Sequence, residues 1–450
     1  MEDTIAAIST ASGVGAISIV RVSGSESIDI VNKIFKGKDL KEVPSHNIVY
    51  GHIIDNDMIV DEVLVSVFRA PKSFTTEDLV EINAHGSIAT TNKILELLLL
   101  NGARLAEPGE FTKRAFLNGR IDLLEAEGVM DLINSKTEKS RKLAINQLSG
   151  KVSNMIKELR NEILEILTNI EVNIDYPEYE DIAVVTLNDI VPKISIIENK
   201  IVEILKKSED GKIIKEGLNI AILGKPNVGK SSLLNKLLDE EKAIVTDIEG
   251  TTRDLVEGKI LLDSIPLNII DTAGIRDTDD IVEKIGVDKS LSQIDKADLI
   301  IFLFDNNSIV TSDERKLYEQ IKNKKHIVIL NKIDLENKAD ISFVDEEIIK
   351  ISAKDNKGID NIFDRIRKMF NLEQFETSDL TYLTNARSIS KLKESLDVIN
   401  DIKNGVNNNF PVDMIEIDIK RVWDILGEIT GDTYEGELIN QLFSRFCLGK

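Results

Sequence analysis

The sequence predicts a multidomain protein that combines α/β, α+β and all-α regions. Residues 1–118 mix strand and helix patterns, two long apolar stripes with helical spacing follow, and a later segment alternates buried strands with helices. A length of 450 residues corresponds to about three domains. We predict an N-terminal α+β domain (1–118), a helical domain in two parts (119–216 and 374–450), and an α/β nucleotide domain between these parts (217–373).

The N-terminal segment carries alternating strand patterns. Residues 15–22, 60–68 and 79–84 are predicted strands, and residues 87–100 a helix. The next segment changes period: apolar residues from Val152 to Ile174 recur every three or four positions and predict one long helix.

Further helices are predicted on both sides of the nucleotide domain. They span 187–204, 386–402, 415–429 and 438–446, with Gly211 and Gly217 leading into the nucleotide domain and a polar loop at 404–409. Because the ends of an α/β domain often lie close together, the simplest architecture inserts it into one helical bundle.

Composition excludes several protein classes. The chain is 42% hydrophobic with a formal net charge of −22, which argues against nonspecific coating of nucleic acid. No apolar stretch approaches the ~18 residues of a membrane span. The N-terminus lacks the basic start of a secretory signal, and the single cysteine, Cys447, cannot form an internal disulfide. We therefore expect a cytoplasmic protein without membrane partners.

A phosphate-binding loop organises the nucleotide domain. A short apolar strand breaks at Gly224, and a helix starts after Gly229. Such a loop lets backbone N–H groups and the helix N-terminus approach a polyphosphate. Lys230 then reaches the β- and γ-phosphates, and Ser231 offers a hydroxyl to Mg²⁺.

Three later motifs indicate GTP rather than ATP. Asp271 and Gly274 follow a strand pattern, where a carboxylate can hold Mg²⁺ through water. Asp334 follows a second strand pattern, and its carboxylate can accept both the ring N–H and the exocyclic amine of guanine. The third motif, Ser352 to Lys354, follows the apolar run 348–351 and completes the wall of the base site. Thr252 is the second predicted Mg²⁺ ligand. The predicted GTP contacts are Asn227, Val228, Gly229, Lys230, Ser231, Ser232, Thr246, Asp247, Ile248, Glu249, Gly250, Thr251, Thr252, Asp271, Thr272, Ala273, Gly274, Asn331, Lys332, Asp334, Ser352, Ala353 and Lys354.

The catalytic set is incomplete in one respect. Lys230 and Asp271 are candidate catalytic residues, but Ile275 stands where Ras-like enzymes have a water-orienting glutamine. A polar group must come from elsewhere, and the acidic residues within 277–283 are candidates.

The chain resembles the TrmE/Era-like GTPases over essentially its whole length, in particular the MnmE (TrmE) family of tRNA modification GTPases. The resemblance rests on these motifs together with residues 73–78, 108–118 and the terminal Phe446 to Lys450. The resemblance implies an N-terminal domain that dimerises and binds 5-formyltetrahydrofolate or a related tetrahydrofolate. By motif, the folate residues are Arg21, Glu81, Arg120 and Lys450.

The resemblance also implies a K⁺ ion beside the phosphates, which would take the charge-stabilising part that an arginine finger plays elsewhere. Its ligands would be Asn227, Thr246, the Ile248 carbonyl and Thr251, and Glu283 would position the attacking water. Cys447 is a candidate nucleophile, although a lone thiol near a C-terminus is more often inert.

The function implied is K⁺-dependent GTP hydrolysis coupled to tRNA modification. With an FAD-containing partner resembling MnmG (GidA), a homodimer would install an aminomethyl or carboxymethylaminomethyl group at C5 of the wobble uridine in certain tRNAs. Two alternatives share the same G domain: a GTPase switch in ribosome assembly, and a GTP-controlled scaffold without chemistry. The N-terminal folate motif and residues 447–450 argue against the first alternative, which has no reason to carry them. Normal wobble-uridine modification in cells that lack the protein would favour the second.

Overall fold

The computed structural model describes residues 3–175, 187–239, 256–270, 295–376, 379–433, 436–447 and 449. The chain forms two compact units, the first made of segments 1–134, 144–202 and 386–450, and the second of segments 135–143 and 203–385. Each unit contains one β-sheet.

The first unit begins with a seven-stranded sheet. Its strands are β1 (Ile5–Ile8), β2 (Ile17–Ser23), β3 (Phe35–Gly37), β4 (Asn47–Asp55), β5 (Met58–Phe68), β6 (Leu79–His85) and β7 (Arg104–Leu105). They lie in the order β3-β4-β5-β6-β2-β1-β7, and only the β1–β7 pair is parallel. Helices α1 (Ser27–Ile34) and α2 (Ile88–Leu100) cover the core face, which valine and isoleucine side chains fill.

Helices from distant parts of the sequence complete this unit. They are α3 (Glu110–Leu117), α4 (Leu123–Asn134), the second part of α5 (Glu138–Leu148), α6 (Lys151–Asp175), the first half of α7 (Leu187–Glu216), and, after the nucleotide-binding motifs, α11 (Ala386–Asn407), α12 (Val412–Thr430) and α13 (Gly436–Phe443). Helix α12 packs on both α6 and α11, so segments on either side of the second unit share one bundle. This arrangement confirms the predicted fold class of a nucleotide domain inserted into a helical one.

The second unit contains a six-stranded sheet of the doubly wound type. Its strands are β8 (Leu218–Leu223), β9 (Val256–Leu262), β10 (Ile265–Ile270), β11 (Leu299–Asp305), β12 (His326–Asn331) and β13 (Ile348–Lys350). Their order is β13-β12-β11-β8-β10-β9, parallel except for the hairpin of β9 and β10. Helices α8 (Lys230–Asp239), α9 (Ser312–Ile321) and α10 (Asp360–Met369) belong to this unit. Since both faces are covered, every residue of β11 is buried.

Two local features differ from the prediction. The helix predicted over 187–204 continues to Glu216 and contains Gly211, where a Cβ would approach Tyr382 Cβ to 2.8 Å, so this glycine allows close packing. The predicted loop at 404–409 is helical as far as Asn407, because Gly405 packs against Phe410 and Asn408 caps the carbonyl of Asn404.

Candidate functional site

The loop between β8 and α8 has the backbone that a phosphate-binding loop requires. Gly224 has a φ of 152°, and a Cβ there would lie 2.7 Å from the carbonyl oxygen of Leu303 on β11. Asn227 and Gly229 also adopt positive φ values, 60° and 101°. These turns bring the chain round to the N-terminus of α8, whose first turn carries Ser231 and Ser232 on its exposed side.

Lys230 is the first residue of α8, and its ammonium group lies inside the loop. Nζ donates to the carbonyl oxygens of Gly224 at 2.8 Å and Lys225 at 2.9 Å. Burial lowers the pKa of Lys230 below its usual value, because the neutral carbonyls offset only part of the lost hydration. A phosphate would supply this cation with the charged acceptors it lacks.

The end of β12 holds the phosphate loop in shape. Asn331 donates through Nδ2 to the Val228 carbonyl at 2.9 Å, and its Oδ1 accepts from the backbone N–H of Ala353 at 3.1 Å. Lys332 donates from Nζ to the Asn227 carbonyl at 2.7 Å. The predicted base-recognition motif therefore also fixes the phosphate loop.

Replacing Asn331 by alanine should destabilise the protein by roughly 2–3 kcal/mol, because the Val228 carbonyl and the Ala353 N–H would lose their partner in a buried place. Urea denaturation measures this loss. The matched control is Asn323→Ala, which removes an exposed asparagine of the same unit and should change stability by less than about 0.5 kcal/mol. Equal effects of the two substitutions would contradict the bridging role.

The residues predicted to recognise guanine lie together at the same edge of the sheet. The Ser352 hydroxyl donates to Asp334 Oδ1 at 2.7 Å and accepts from the Asp355 N–H at 3.2 Å. The hydrogen bond from Ser352 lowers the pKa of Asp334 below its usual value. Asp334 is exposed and ionised at neutral pH, so its carboxylate is available to accept two N–H groups of a base.

Asp305 was missed in the sequence. It ends β11, and its Oδ2 forms an ion pair with Lys332 Nζ at 2.7 Å. The sequence did carry a signal for Asp305, because this carboxylate follows a completely apolar run. The run forms a strand that ends at the same edge of the sheet as β8 and β12. The pair orients Lys332 toward the phosphate loop.

Many predicted nucleotide and ion contacts lie outside the described residues. These are Thr246, Asp247, Ile248, Glu249, Gly250, Thr251, Thr252, Asp271, Thr272, Ala273, Gly274 and Glu283, together with Lys450 of the folate set. Within the described ranges no three His, Cys, Asp or Glu side chains are grouped to hold a metal.

In the first unit, two predicted folate residues pair with each other. Arg21 on β2 stands directly opposite Glu81 on β6, and its Nε and Nη2 donate to Glu81 Oε1 at 2.9 Å and 2.7 Å. The charges are therefore compensated, and both side chains are mostly buried. A ligand at this place would meet a polar pair that offers donors and acceptors side by side.

Two phenylalanines that had no predicted role lie beside this pair. The Arg21 guanidinium carbon lies 5.5 Å from the ring centroids of Phe74 and Phe111. Arg120 lies 4.9 Å from the Phe74 ring and donates to the Phe74 carbonyl at 2.9 Å. Arg21, Glu81 and Arg120 thus gather around Phe74, although they are distant in sequence.

The C-terminal tail lies against the same domain. The Gly109 N–H donates to the Cys447 carbonyl at 3.2 Å, and Ser9 Oγ donates to the Gly449 carbonyl at 3.0 Å. The Cys447 thiol is free and the residue is exposed. The tail therefore runs beside β1 and the start of α3.

Comparisons with known proteins agree with this organisation. A family model described as GTP-binding protein TrmE N-terminus matches residues 4–120, and one described as MnmE helical domain matches residues 123–447. A solved structure of Era from Aquifex aeolicus is 29% identical and covers 34% of this chain and 56% of that chain, but its TM-score of 0.26 adds nothing to the assignment.

Full-length relatives decide the assignment. The tRNA modification GTPase MnmE of Streptococcus thermophilus is 53% identical over 450 residues, which cover 100% of this chain and 98% of that protein. The protein of the same name from Bacillus cytotoxicus is 52% identical over 455 residues, covering 100% and 99%. In the part of the chain that the structure describes, no helix is long and apolar enough to cross a membrane. The chain belongs to the MnmE family of tRNA modification GTPases.

Proposed function

We propose that this GTPase hydrolyses GTP in a K⁺-dependent reaction and couples it to modification of the wobble uridine of certain tRNAs. The observation that carries the proposal is the joining of the guanine motif to the phosphate loop by Asn331 and Lys332. The residues proposed for base recognition and for phosphate binding thus lie at one edge of the sheet and are hydrogen-bonded to each other. Such a site favours a guanine nucleotide, since the Asp334 carboxylate accepts N–H groups that adenine does not present on that edge.

We assign the phosphate and Mg²⁺ contacts by position. Lys230 would leave the loop carbonyls for the β- and γ-phosphate oxygens. Ser231 in the first turn of α8 would hold Mg²⁺ together with Thr252, and Asp271 would hold it through water. An ion held there would supply positive charge beside the phosphates.

The K⁺ site is proposed beside the same loop. Asn227 is exposed and has a φ of 60°, and its backbone carbonyl accepts a hydrogen bond from Lys332 Nζ. We therefore propose that its side-chain oxygen binds the cation. Thr246, the Ile248 carbonyl and Thr251 would complete an oxygen-lined site, which suits a hard cation.

GTPase rates measured in KCl and in NaCl test the assignment of this K⁺ site. We expect fast turnover only in KCl and little response to K⁺ in Asn227→Ala, whereas equal rates in both salts would contradict it.

Replacing Glu283 by alanine should lower kcat by about 10²–10⁴-fold and leave GTP affinity nearly unchanged, because this carboxylate is proposed to position the attacking water in place of the glutamine that Ile275 replaces. Single-turnover hydrolysis and equilibrium binding of a fluorescent nucleotide separate the two quantities. The matched control is Glu319→Ala, which removes an exposed carboxylate on α9 and should change neither quantity. A parallel loss of affinity in Glu283→Ala would make the residue structural.

The N-terminal segment 1–118 is proposed as the folate-binding and dimerising domain, with 119–216 and 374–450 as one helical domain and 217–373 as the G domain. Arg21, Glu81, Arg120 and Lys450 would bind the folate. Guanidinium and ammonium groups suit its carboxylates, and a carboxylate suits the N–H edge of its pterin. Cys447 remains a candidate nucleophile toward the pyrimidine.

Calorimetric titration with 5-formyltetrahydrofolate tests the folate assignment. We expect saturable binding that Arg21→Ala abolishes, because this change leaves Glu81 unpaired at the site. Arg141→Ala removes an exposed arginine of α5 and should bind normally. Absence of binding by the folded wild-type protein would contradict the assignment.

The proposed partners follow from the family. A homodimer would act in the cytoplasm with an FAD-containing MnmG (GidA)-like protein, and the tetrahydrofolate would supply the one-carbon unit for the group added at C5 of the uridine. Because the chain carries a net charge of −22, we propose that the partner provides much of the tRNA affinity. A strong, salt-sensitive complex of tRNA with this protein alone would count against that division.

A further inference from the structure

The N-terminal domain contains an open cleft of about 580 Å³ beside Phe74. This is a usual size for a small-molecule site. Its lining includes the rings of Phe68 and Phe74 and three residues that can carry positive charge, His46, Lys72 and Arg120. Among its described lining residues there is no aspartate or glutamate. The cleft is therefore locally basic on a chain of net charge −22.

Among the described residues, neither Lys72 nor Arg120 forms an ion pair with a carboxylate. Arg120 lies within electrostatic range of Glu125 without a direct contact, and its Nη1 donates to the Phe74 carbonyl at 2.9 Å. This contrasts with Arg21, which pairs with Glu81.

The nearest acidic side chains of the same loop face other partners. Glu77 accepts from Arg114 Nη1 at 3.2 Å and from Ser23 Oγ at 2.8 Å. Asp78 accepts from the Ala70 N–H at 2.8 Å. The loop thus directs its negative charges away from the cleft and its lysine into the cleft wall, an arrangement that suits an anionic ligand.

The cleft adjoins the proposed folate site through one ring. Phe74 has the Arg21 guanidinium 5.5 Å and the Arg120 guanidinium 4.9 Å from its centroid, and both Phe74 and Arg120 line the cleft. A folate whose pterin lies near the Arg21–Glu81 pair therefore has room to extend its acidic end into this cleft. That end is a glutamate, which can be lengthened by γ-linked glutamates that each add one free carboxylate.

We propose that this cleft binds the glutamate tail of the folate, so that the protein prefers polyglutamylated one-carbon folates over the monoglutamate. The inference rests on the proposed folate-binding function and adds the form of folate that is used. Lys72, which lines the cleft together with His46, meets the added carboxylates. A nucleic-acid backbone fits less well, since RNA binding uses a longer basic track than three side chains around one cleft.

The test compares 5-formyltetrahydrofolate carrying one glutamate with the same folate carrying three, by calorimetry at low salt. The wild-type protein should bind the triglutamate about three- to tenfold more tightly. In Lys72→Gln the ratio of the two affinities should fall to near one. Lys38→Gln removes an exposed lysine of the same domain outside the cleft and should keep the wild-type ratio.

The outcomes distinguish this inference from the function on which it rests. Equal affinities of the wild-type protein for the two folates would overturn the tail site and leave the folate assignment intact. Equal losses of preference in Lys72→Gln and Lys38→Gln would also overturn it, since they would indicate general charge attraction. If Lys72→Gln weakened tRNA binding but kept the folate preference, the cleft would belong to RNA. Binding of neither folate would overturn the folate assignment itself.

Discussion

Asp334→Asn is expected to weaken GTP binding by about 100-fold or more and to improve binding of xanthosine triphosphate. The substitution replaces one acceptor of the carboxylate by an NH₂ donor, which opposes the exocyclic amine of guanine but matches the oxygen that xanthine carries at that position. The Ser352 hydroxyl can still donate to the remaining oxygen, so the local fold should persist.

Displacement of a bound fluorescent guanine nucleotide by GTP or by xanthosine triphosphate measures the change in nucleotide preference. Asp355→Asn is the matched control, because Asp355 is an exposed neighbour whose backbone N–H, rather than its carboxylate, contacts Ser352. Its nucleotide preference should remain that of the wild-type protein. An Asp334→Asn variant that still preferred GTP would contradict the placement of the base.

Lys230→Ala should weaken GTP binding by roughly 100-fold and remove measurable hydrolysis. The alanine eliminates the charge-assisted hydrogen bonds to the phosphates, each of which contributes about 1.5–3 kcal/mol. In the free protein the same change removes only bonds from Nζ to two carbonyls of the loop, those of Gly224 and Lys225. The loss should therefore appear in nucleotide binding far more than in thermal stability.

Equilibrium nucleotide binding and a thermal melt separate these two effects. Lys236→Ala removes a lysine from the last turn of the same helix and should bind GTP normally. If Lys230→Ala lowered the melting temperature strongly as well as the affinity for GTP, Lys230 would be a structural residue of the loop. Normal affinity would remove it from the phosphate site altogether.

The nucleotide edge was predictable from the sequence because its signals are local. An apolar run followed by a glycine or a carboxylate marks the end of a parallel strand, and such ends collect at one edge of the sheet. Asp305 ends such a run in β11 but was not predicted, because its role depends on Lys332, which follows the end of the neighbouring strand β12.

The N-terminal site was less predictable because its contacts depend on strand register and on loops. Nothing local shows that Arg21 and Glu81 face each other across β2 and β6, since their pairing joins residues 60 positions apart. The gathering of Phe74 and Arg120 around them is equally non-local. The helix that contains Gly211 was predicted too short for a related reason, because a glycine required by a helix contact looks the same in sequence as one required by a turn.

Mass spectrometry of the wobble nucleoside tests the central claim most directly. Unmodified substrate tRNA would be incubated with this protein, its FAD-containing partner, the one-carbon folate, an amine donor (ammonium or glycine, in separate reactions), K⁺ and either GTP or a non-hydrolysable analogue, then digested to nucleosides. We expect the C5 aminomethyl-type group on the wobble uridine with GTP and little of it with the analogue or with Glu283→Ala. Equal modification with GTP and with the analogue, or none with GTP while the protein hydrolyses it, would contradict the coupling of hydrolysis to tRNA chemistry.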